Sequence, residues 1–232
     1  MTHQDSSSAT GPAPGTDPAD PTGIEHLLSR LRAHRVVGII RHRDPEVAEQ
    51  VALAVLRAGL ACVEITWSVP GAPGIIRRVA AEFGDRYVGA GTVVHPWQVD
   101  EVADAGARYV VTPAVRPGVV TRCAERGIPT LTGLMTPTEL FQAIDLGIRA
   151  VKLYPAGTLG PVHLSALRDI APDVAYVPTG GVDAANAGDW LRRGATAVAI
   201  GSAFTGAWDR GGGAAVAEVT AKVLAAVSDH GV

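Results

Sequence analysis

The chain has 232 residues, 47% of them hydrophobic and 19% charged, a balance that suits a packed globular core and excludes a disordered or membrane-embedded composition. Its formal net charge is −3 and its pI about 6.1, so no global basic field favours nucleic acid, and small anions have to be held by local groups. The two cysteines, Cys62 and Cys123, form no CxxC pattern, which argues against a structural zinc or a disulfide framework and for a reducing, cytoplasmic setting. No apolar run approaches the roughly eighteen residues of a membrane span, and the N-terminus lacks a basic segment followed by a hydrophobic one.

Residues 1–21 are rich in Ser, Pro, Gly, Ala and Asp, with Met1 the only large apolar residue, and are expected to form a disordered tail. The folded domain is expected over 22–232. It opens with Thr22 capping a helix to about residue 33.

Strand and helix patterns then alternate. A strand over 36–41 is followed by Asp44-Pro45, an N-cap with proline at the first helical position, opening a helix that ends near Gly59. The second strand is expected over 61–66 with a helix over 72–83, and the third over 87–93 with a helix from His95-Pro96. The fourth covers 109–112, its helix starting near Pro117. A short fifth strand over 129–131 precedes Thr136 and Glu139, spaced as a capping box. The sixth strand contains Lys152 and stops at Pro155, the seventh covers 174–177, and the eighth covers 197–200. A helix over 183–193 separates the last two, and 213–227 reads as the closing helix.

Glycines that end a helix just before a strand fall at 59, 106, 127, 147 and 194, with gaps of 47, 21, 20 and 47 residues. A gap of 20 or 21 is one strand–helix unit and 47 is two, so one unit repeats along the domain. Eight such units after an extra N-terminal helix point to a (β/α)8 TIM barrel, with a doubly wound open sheet as the alternative.

In a barrel the chemistry sits at the C-terminal ends of the strands, here Arg41, Glu64, Thr92, Thr112-Pro113, Lys152, Thr179-Gly180-Gly181 and Gly201-Ser202. Lys152 lies inside an apolar strand, where an ammonium must pair with a carboxylate, reach solvent, or become a nucleophilic amine. Period-two alternation sends Val63 and Ile65 toward the helices if Glu64 points inward, and does the same for Val151 and Leu153 if Lys152 does. Two inward charges of opposite sign form either a structural ion pair or a nucleophile with its proton shuttle. Glycine turns after strands seven and eight suit a phosphate, because the backbone N–H groups can approach the anion.

Other constellations carry less. His26, His34, His42, His95 and His163 show no metal-ligand spacing, so no metal site is expected. Gly89-Ala90-Gly91 lacks the third glycine of a dinucleotide fingerprint, and Trp67, Trp97, Trp190 and Trp208 form no evident stacking platform.

The segments VEIT at Val63, GAGTV at Gly89, TP at Thr112, VKLYPA at Val151, PTGGV at Pro178 and IGS at Ile200 resemble, in order and spacing, the 2-keto-3-deoxy-6-phosphogluconate (KDPG) and 4-hydroxy-2-oxoglutarate (KHG) aldolases. The resemblance covers about residues 30–210. It implies a class I aldolase with Lys152 as Schiff-base lysine and Glu64 as general acid/base. Thr92 and Thr179 would offer hydroxyls to the substrate, with Arg41, Thr112, Pro113 and Ser68 as further substrate-binding candidates. Gly180, Gly181, Gly201 and Ser202 would hold the phosphate. The resemblance also implies a homotrimer acting on a small 2-keto acid, with no metal or other cofactor and no nucleic-acid or membrane partner.

Gluconate-type members carry an arginine where this chain has Ser68. The galactonate-type branch, similar to 2-dehydro-3-deoxy-6-phosphogalactonate aldolase, has a small polar residue there, an arginine at the position of Arg41, and a longer loop like the one over 153–161. That favours a phosphogalactonate-type acid, cleaved to pyruvate and glyceraldehyde 3-phosphate. Three alternatives stand beside it: a KHG-type substrate giving glyoxylate, a phosphate-binding barrel isomerase or synthase without an imine, and a barrel that only binds a phosphorylated acid.

Overall fold

The computed structural model describes residues 22–228, so the expected tail over 1–21 lies outside the described residues. The strands are β1 (Val36–Ile40), β2 (Cys62–Thr66), β3 (Tyr87–Gly91), β4 (Val110–Thr112), β5 (Thr130–Leu134), β6 (Ala150–Leu153), β7 (Ala175–Pro178) and β8 (Val198–Ile200). Each is followed by a helix: α2 (Pro45–Arg57), α3 (Ala72–Glu82), α4 (Pro96–Asp104), α5 (Pro117–Glu125), α6 (Pro137–Asp145), α7 (Ala156–Ile170), α8 (Ala187–Arg192) and α9 (Ser202–Ser228). The extra helix α1 (Thr22–His34) precedes them.

Seven parallel pairings run in the order β7-β6-β5-β4-β3-β2-β1-β8. A parallel bridge between Thr179 and Ala199 joins the two ends, with Thr196 N donating to Tyr176 O at 2.9 Å. The sheet therefore closes, which decides for the barrel over the open sheet.

Local chemistry explains the frame. Asp44 Oδ1 accepts from Glu46 N at 2.8 Å and starts α2, while Glu139 Oε2 reaches back to Thr136 N at 2.8 Å and starts α6. The five glycines that punctuate the repeat all take positive φ, between 64° and 104°, as helix-ending residues do.

Strand alternation sorts the side chains into two layers. Val63, Ile65, Val151 and Leu153 pack outward among the helices. Val37, Ile39, Tyr87, Tyr109, Val111 and Val177 fill the lumen, where Leu27, Leu28 and Leu31 of α1 join them. The helix α1 closes the N-terminal mouth, as the ring contact between His26 and Tyr87 at the start of β3 places it there.

Four boundaries depart most from expectation. β5 runs on to Leu134, because Thr132 and Gly133 pair in register with Val151 and Lys152 despite the weak strand preference of glycine. The expected loop over 153–161 is mostly helical: α7 begins at Ala156, breaks at Gly160 (φ 74°, ψ 164°) and resumes at Pro161. The helix expected from residue 183 starts at Ala187, since Asp183 Oδ1 instead accepts from Ala185 N at 2.8 Å in a turn. Finally, α9 begins at Ser202, directly after β8, and breaks at Gly211 and Gly212. The glycine run is an interruption of that helix, and Phe204 and Ala207 bury the part before it.

Candidate active site

In a ring of eight strands β2 and β6 stand opposite each other, so inward side chains from the two meet across the lumen. Glu64 and Lys152 do so: Lys152 Nζ donates to Glu64 Oε1 at 3.4 Å, with the two residues 6% and 2% exposed respectively. The carboxylate lies over the end of β3. A Cβ on Gly91 would stand 2.6 Å from Glu64 Oε1, so glycine is required there for the carboxylate to reach the lysine. Beneath them Tyr87 and Tyr109 stack with centroids 5.4 Å apart, and burial pushes the Tyr109 phenol well above its usual range, keeping it neutral.

Lys152 opens into a cavity of about 270 Å³ shared with Arg41, Thr179, Gly180, Gly181, Gly201 and Ser202. Six residues expected at strand ends are thus gathered around one amine. Gly180 and Gly181 take φ of 84° and 77°, and the turn sits tightly on α7: a Cβ on Gly181 would stand 2.8 Å from Gly157 Cα. Across from it the first turn of α9, with Ser202 and Thr205, also lines the cavity. Free N–H groups at a helix start and a glycine turn together favour an anion.

The remaining candidates sit differently. Arg41 donates to Thr92 Oγ1 at 3.0 Å, and Thr92 holds a positive φ of 59°, uncommon for a residue with a side chain. Ser68 bonds Thr66 across 2.9 Å between hydroxyls and borders an open depression of about 570 Å³ with Arg41, His42 and Arg43. Glu64, Thr92, Thr112 and Pro113 do not line the lysine cavity. The Thr112 hydroxyl is turned onto Ala114 O at 3.1 Å, and the Pro113 carbonyl lies where a Cβ on Gly133 would fall. The Thr179 hydroxyl donates to Val177 O at 3.1 Å and keeps its lone pairs free to accept.

The strand-end list omits Tyr154 and Thr205, which both line the cavity. Alternation signals Tyr154, two residues beyond Lys152 and so on the same side. Thr205 was hidden by the late start expected for α9. The expected scatter of tryptophans also yields one contact, Trp67 meeting Trp97 edge to face at 5.3 Å.

Among the described residues no three His, Cys, Asp or Glu side chains are grouped as a metal site. The thiols are poor nucleophiles, since burial pushes Cys62 up to about 12 and Cys123 up to about 11. Among the described helices none is long and apolar enough to cross a membrane.

A closed parallel barrel with a buried amine and carboxylate at its C-terminal mouth, beside a glycine-walled cavity, defines a barrel enzyme with its site at the strand ends. More narrowly, the chain belongs to the KDPG and KHG aldolase family, whose pattern it matches over residues 27–223; it is an aldolase, an aldehyde-lyase. It is 34% identical over 169 residues to a 2-dehydro-3-deoxy-6-phosphogalactonate aldolase of Escherichia coli, covering 72% of this chain and 82% of that one. It is 33% identical over 166 residues to a 2-dehydro-3-deoxy-phosphogluconate aldolase of Treponema pallidum, covering 71% and 79%. Among solved structures it is similar to the KDPG aldolase of Legionella pneumophila with pyruvate captured as a covalent carbinolamine. That likeness has a TM-score of 0.76 and 26% identity, over 84% of this chain and 97% of the other.

Proposed function

We propose that this chain is a class I aldolase that cleaves 2-keto-3-deoxy-6-phospho sugar acids, of the phosphogalactonate type, to pyruvate and glyceraldehyde 3-phosphate. The observation that carries the reading is the pairing of Lys152 with Glu64 at the head of an anion-binding cavity.

Cleaving C3–C4 of a 2-keto acid leaves an electron pair on C3, which a protonated imine at C2 accepts far better than a ketone does. The Lys152 amine attacks C2, the carbinolamine loses water, and the iminium forms. The C4 hydroxyl gives up its proton as C3–C4 breaks, the aldehyde leaves, and the electrons settle in an enamine. Protonation at C3 and hydrolysis release pyruvate and restore the amine. Glu64, in hydrogen-bond contact with Nζ, carries the protons through these steps. The lysine imine is the electron sink, so the reaction as proposed uses no metal or organic cofactor.

The phosphate is held by the Gly180-Gly181 turn, Gly201 and Ser202, and Arg41 supplies a bidentate cation for an acidic group of the substrate. Thr92 fixes Arg41 in place. Ser68 leaves room beside Arg41 that a longer side chain would fill, which supports the galactonate-type reading.

The protein acts as a homotrimer in the cytoplasm. Trp97, Met135, Phe141 and Val162, large apolar residues with exposed side chains on or beside α4, α6 and α7, supply apolar surface for a second copy, and two unpaired buried thiols suit a reducing compartment.

Incubation with pyruvate and borohydride is expected to leave a reduced adduct on Lys152, detected by peptide mass, and Lys152→Ala is expected to lose both adduct and turnover. Full activity of the alanine variant overturns the proposal. The C4-epimeric phosphorylated acids, assayed side by side with coupled pyruvate detection, decide the substrate type.

A further inference from the structure

β6 delivers Lys152 to the lumen, and the same alternation brings Tyr154 out on that side just beyond the strand end. Lys152 Nζ stands 5.8 Å from the centroid of the Tyr154 ring. The Cδ2–Cε2 edge of the ring lies against the glycine turn, where a Cβ on Gly180 would be 3.1 Å from Tyr154 Cε2. The ring is therefore close to both the amine and the glycine turn. It lines the cavity that joins the two, the residue is 45% exposed, and its hydroxyl has no hydrogen-bond partner among the described residues. Both ring contacts would be made equally well by phenylalanine, so they leave the hydroxyl without a role.

A 2-keto-3-deoxy-6-phospho acid bound in this cavity has C2 at Lys152 and its phosphate at Gly180, Gly181 and Ser202. C3, C4 and C5 then pass the Tyr154 ring, and C4 and C5 carry the hydroxyl groups that neither end of the site holds. We infer that Tyr154 is a specificity-determining residue whose hydroxyl hydrogen-bonds to the C4–C5 diol and so helps select which C4 epimer is cleaved. The inference rests on the aldolase reading of Lys152. A site that hydrogen-bonds a substrate hydroxyl discriminates more sharply than an apolar wall, because the wrong epimer leaves a polar group unpaired.

The test is Tyr154→Phe, which keeps the ring and removes one oxygen. Its kcat/KM for the preferred C4 epimer is expected to fall about tenfold and the ratio between epimers to narrow. Labelling of Lys152 by pyruvate and borohydride should stay within twofold, since pyruvate has no C4. Wild-type values for both epimers overturn the inference, as does a fall in pyruvate labelling equal to the fall in turnover, which would place the hydroxyl's effect at the amine. If the unmodified enzyme takes no pyruvate label, the aldolase reading itself has failed and this inference falls with it.

Discussion

Lys152 and Glu64 reach each other from opposite strands of the barrel and meet at 3.4 Å over Gly91, whose missing side chain makes the contact sterically possible. This three-residue arrangement exposes the pair to a substitution that touches neither member.

Gly91→Ala puts a methyl 2.6 Å from the Glu64 carboxylate, while the backbone there needs no special φ. The carboxylate has to move, and if Glu64 carries protons as proposed, misplacing it by an ångström costs about ten- to a hundredfold in rate. Overpacking also lowers stability by about 1–3 kcal/mol. The expected result is a folded enzyme with a large loss in kcat, read from steady-state kinetics beside a denaturant melt. An unchanged kcat would separate the pair from the chemistry.

Gly181→Ala acts at the other end of the cavity. Its φ of 77° strains any side chain, and a Cβ there presses on Gly157 Cα at 2.8 Å. The turn is expected to open, raising KM for the phosphorylated acid about tenfold. Pyruvate, which has no phosphate, should still label Lys152 at the wild-type rate. Equal damage to both would mean that the turn supports the whole site.

Ser68→Arg adds a third long cation to the depression that Arg41 and Arg43 already border. The ratio of kcat/KM between the two C4 epimers is expected to shift toward the gluconate type by about tenfold, on the scale of one new charge-assisted contact. Competition assays with both acids measure the ratio directly, and a constant ratio would remove Ser68 from substrate choice.

Cys62 and Cys123 set an alkaline limit. In the unfolded chain a thiol ionises near 9, whereas burial holds Cys62 protonated to about 12 and Cys123 to about 11. Above pH 9 the unfolded state releases protons that the folded state keeps, so stability falls as pH rises toward the folded values. Thermal melts between pH 8 and 10 should show a falling Tm, with a shallower slope in Cys62→Ala. A flat profile would contradict the buried thiols.

Much of the fold is legible in local sequence because its signals are local. Helix-ending glycines, the Asp44-Pro45 start and the Thr136 to Glu139 capping box act within a few residues, and each forms as its spacing implies. Two of the misplaced boundaries are set by long-range packing. Gly133 is a strand residue because β6 pairs with it, and Ser202 begins α9 because Phe204 and Ala207 are buried. Tyr154 shows a different limit. Its side of the chain follows from alternation, but its closeness to both the amine and the Gly180 turn depends on where the turn after β7 lies.

The sequence by itself determined the repeat, the placing of Lys152 and Glu64 on the face opposite their apolar neighbours, and the glycine turns after the seventh and eighth strands, since period-two alternation and turn chemistry act through neighbouring bonds. Tertiary structure alone decided that the sheet closes through Thr179 and Ala199 and that two side chains 88 positions apart share a hydrogen bond. It also decided which strand-end residues face the lysine cavity and which, like Thr112, turn back onto their own backbone. Closure is the physical reason: it brings opposite strands within reach of each other, a distance that no local pattern encodes.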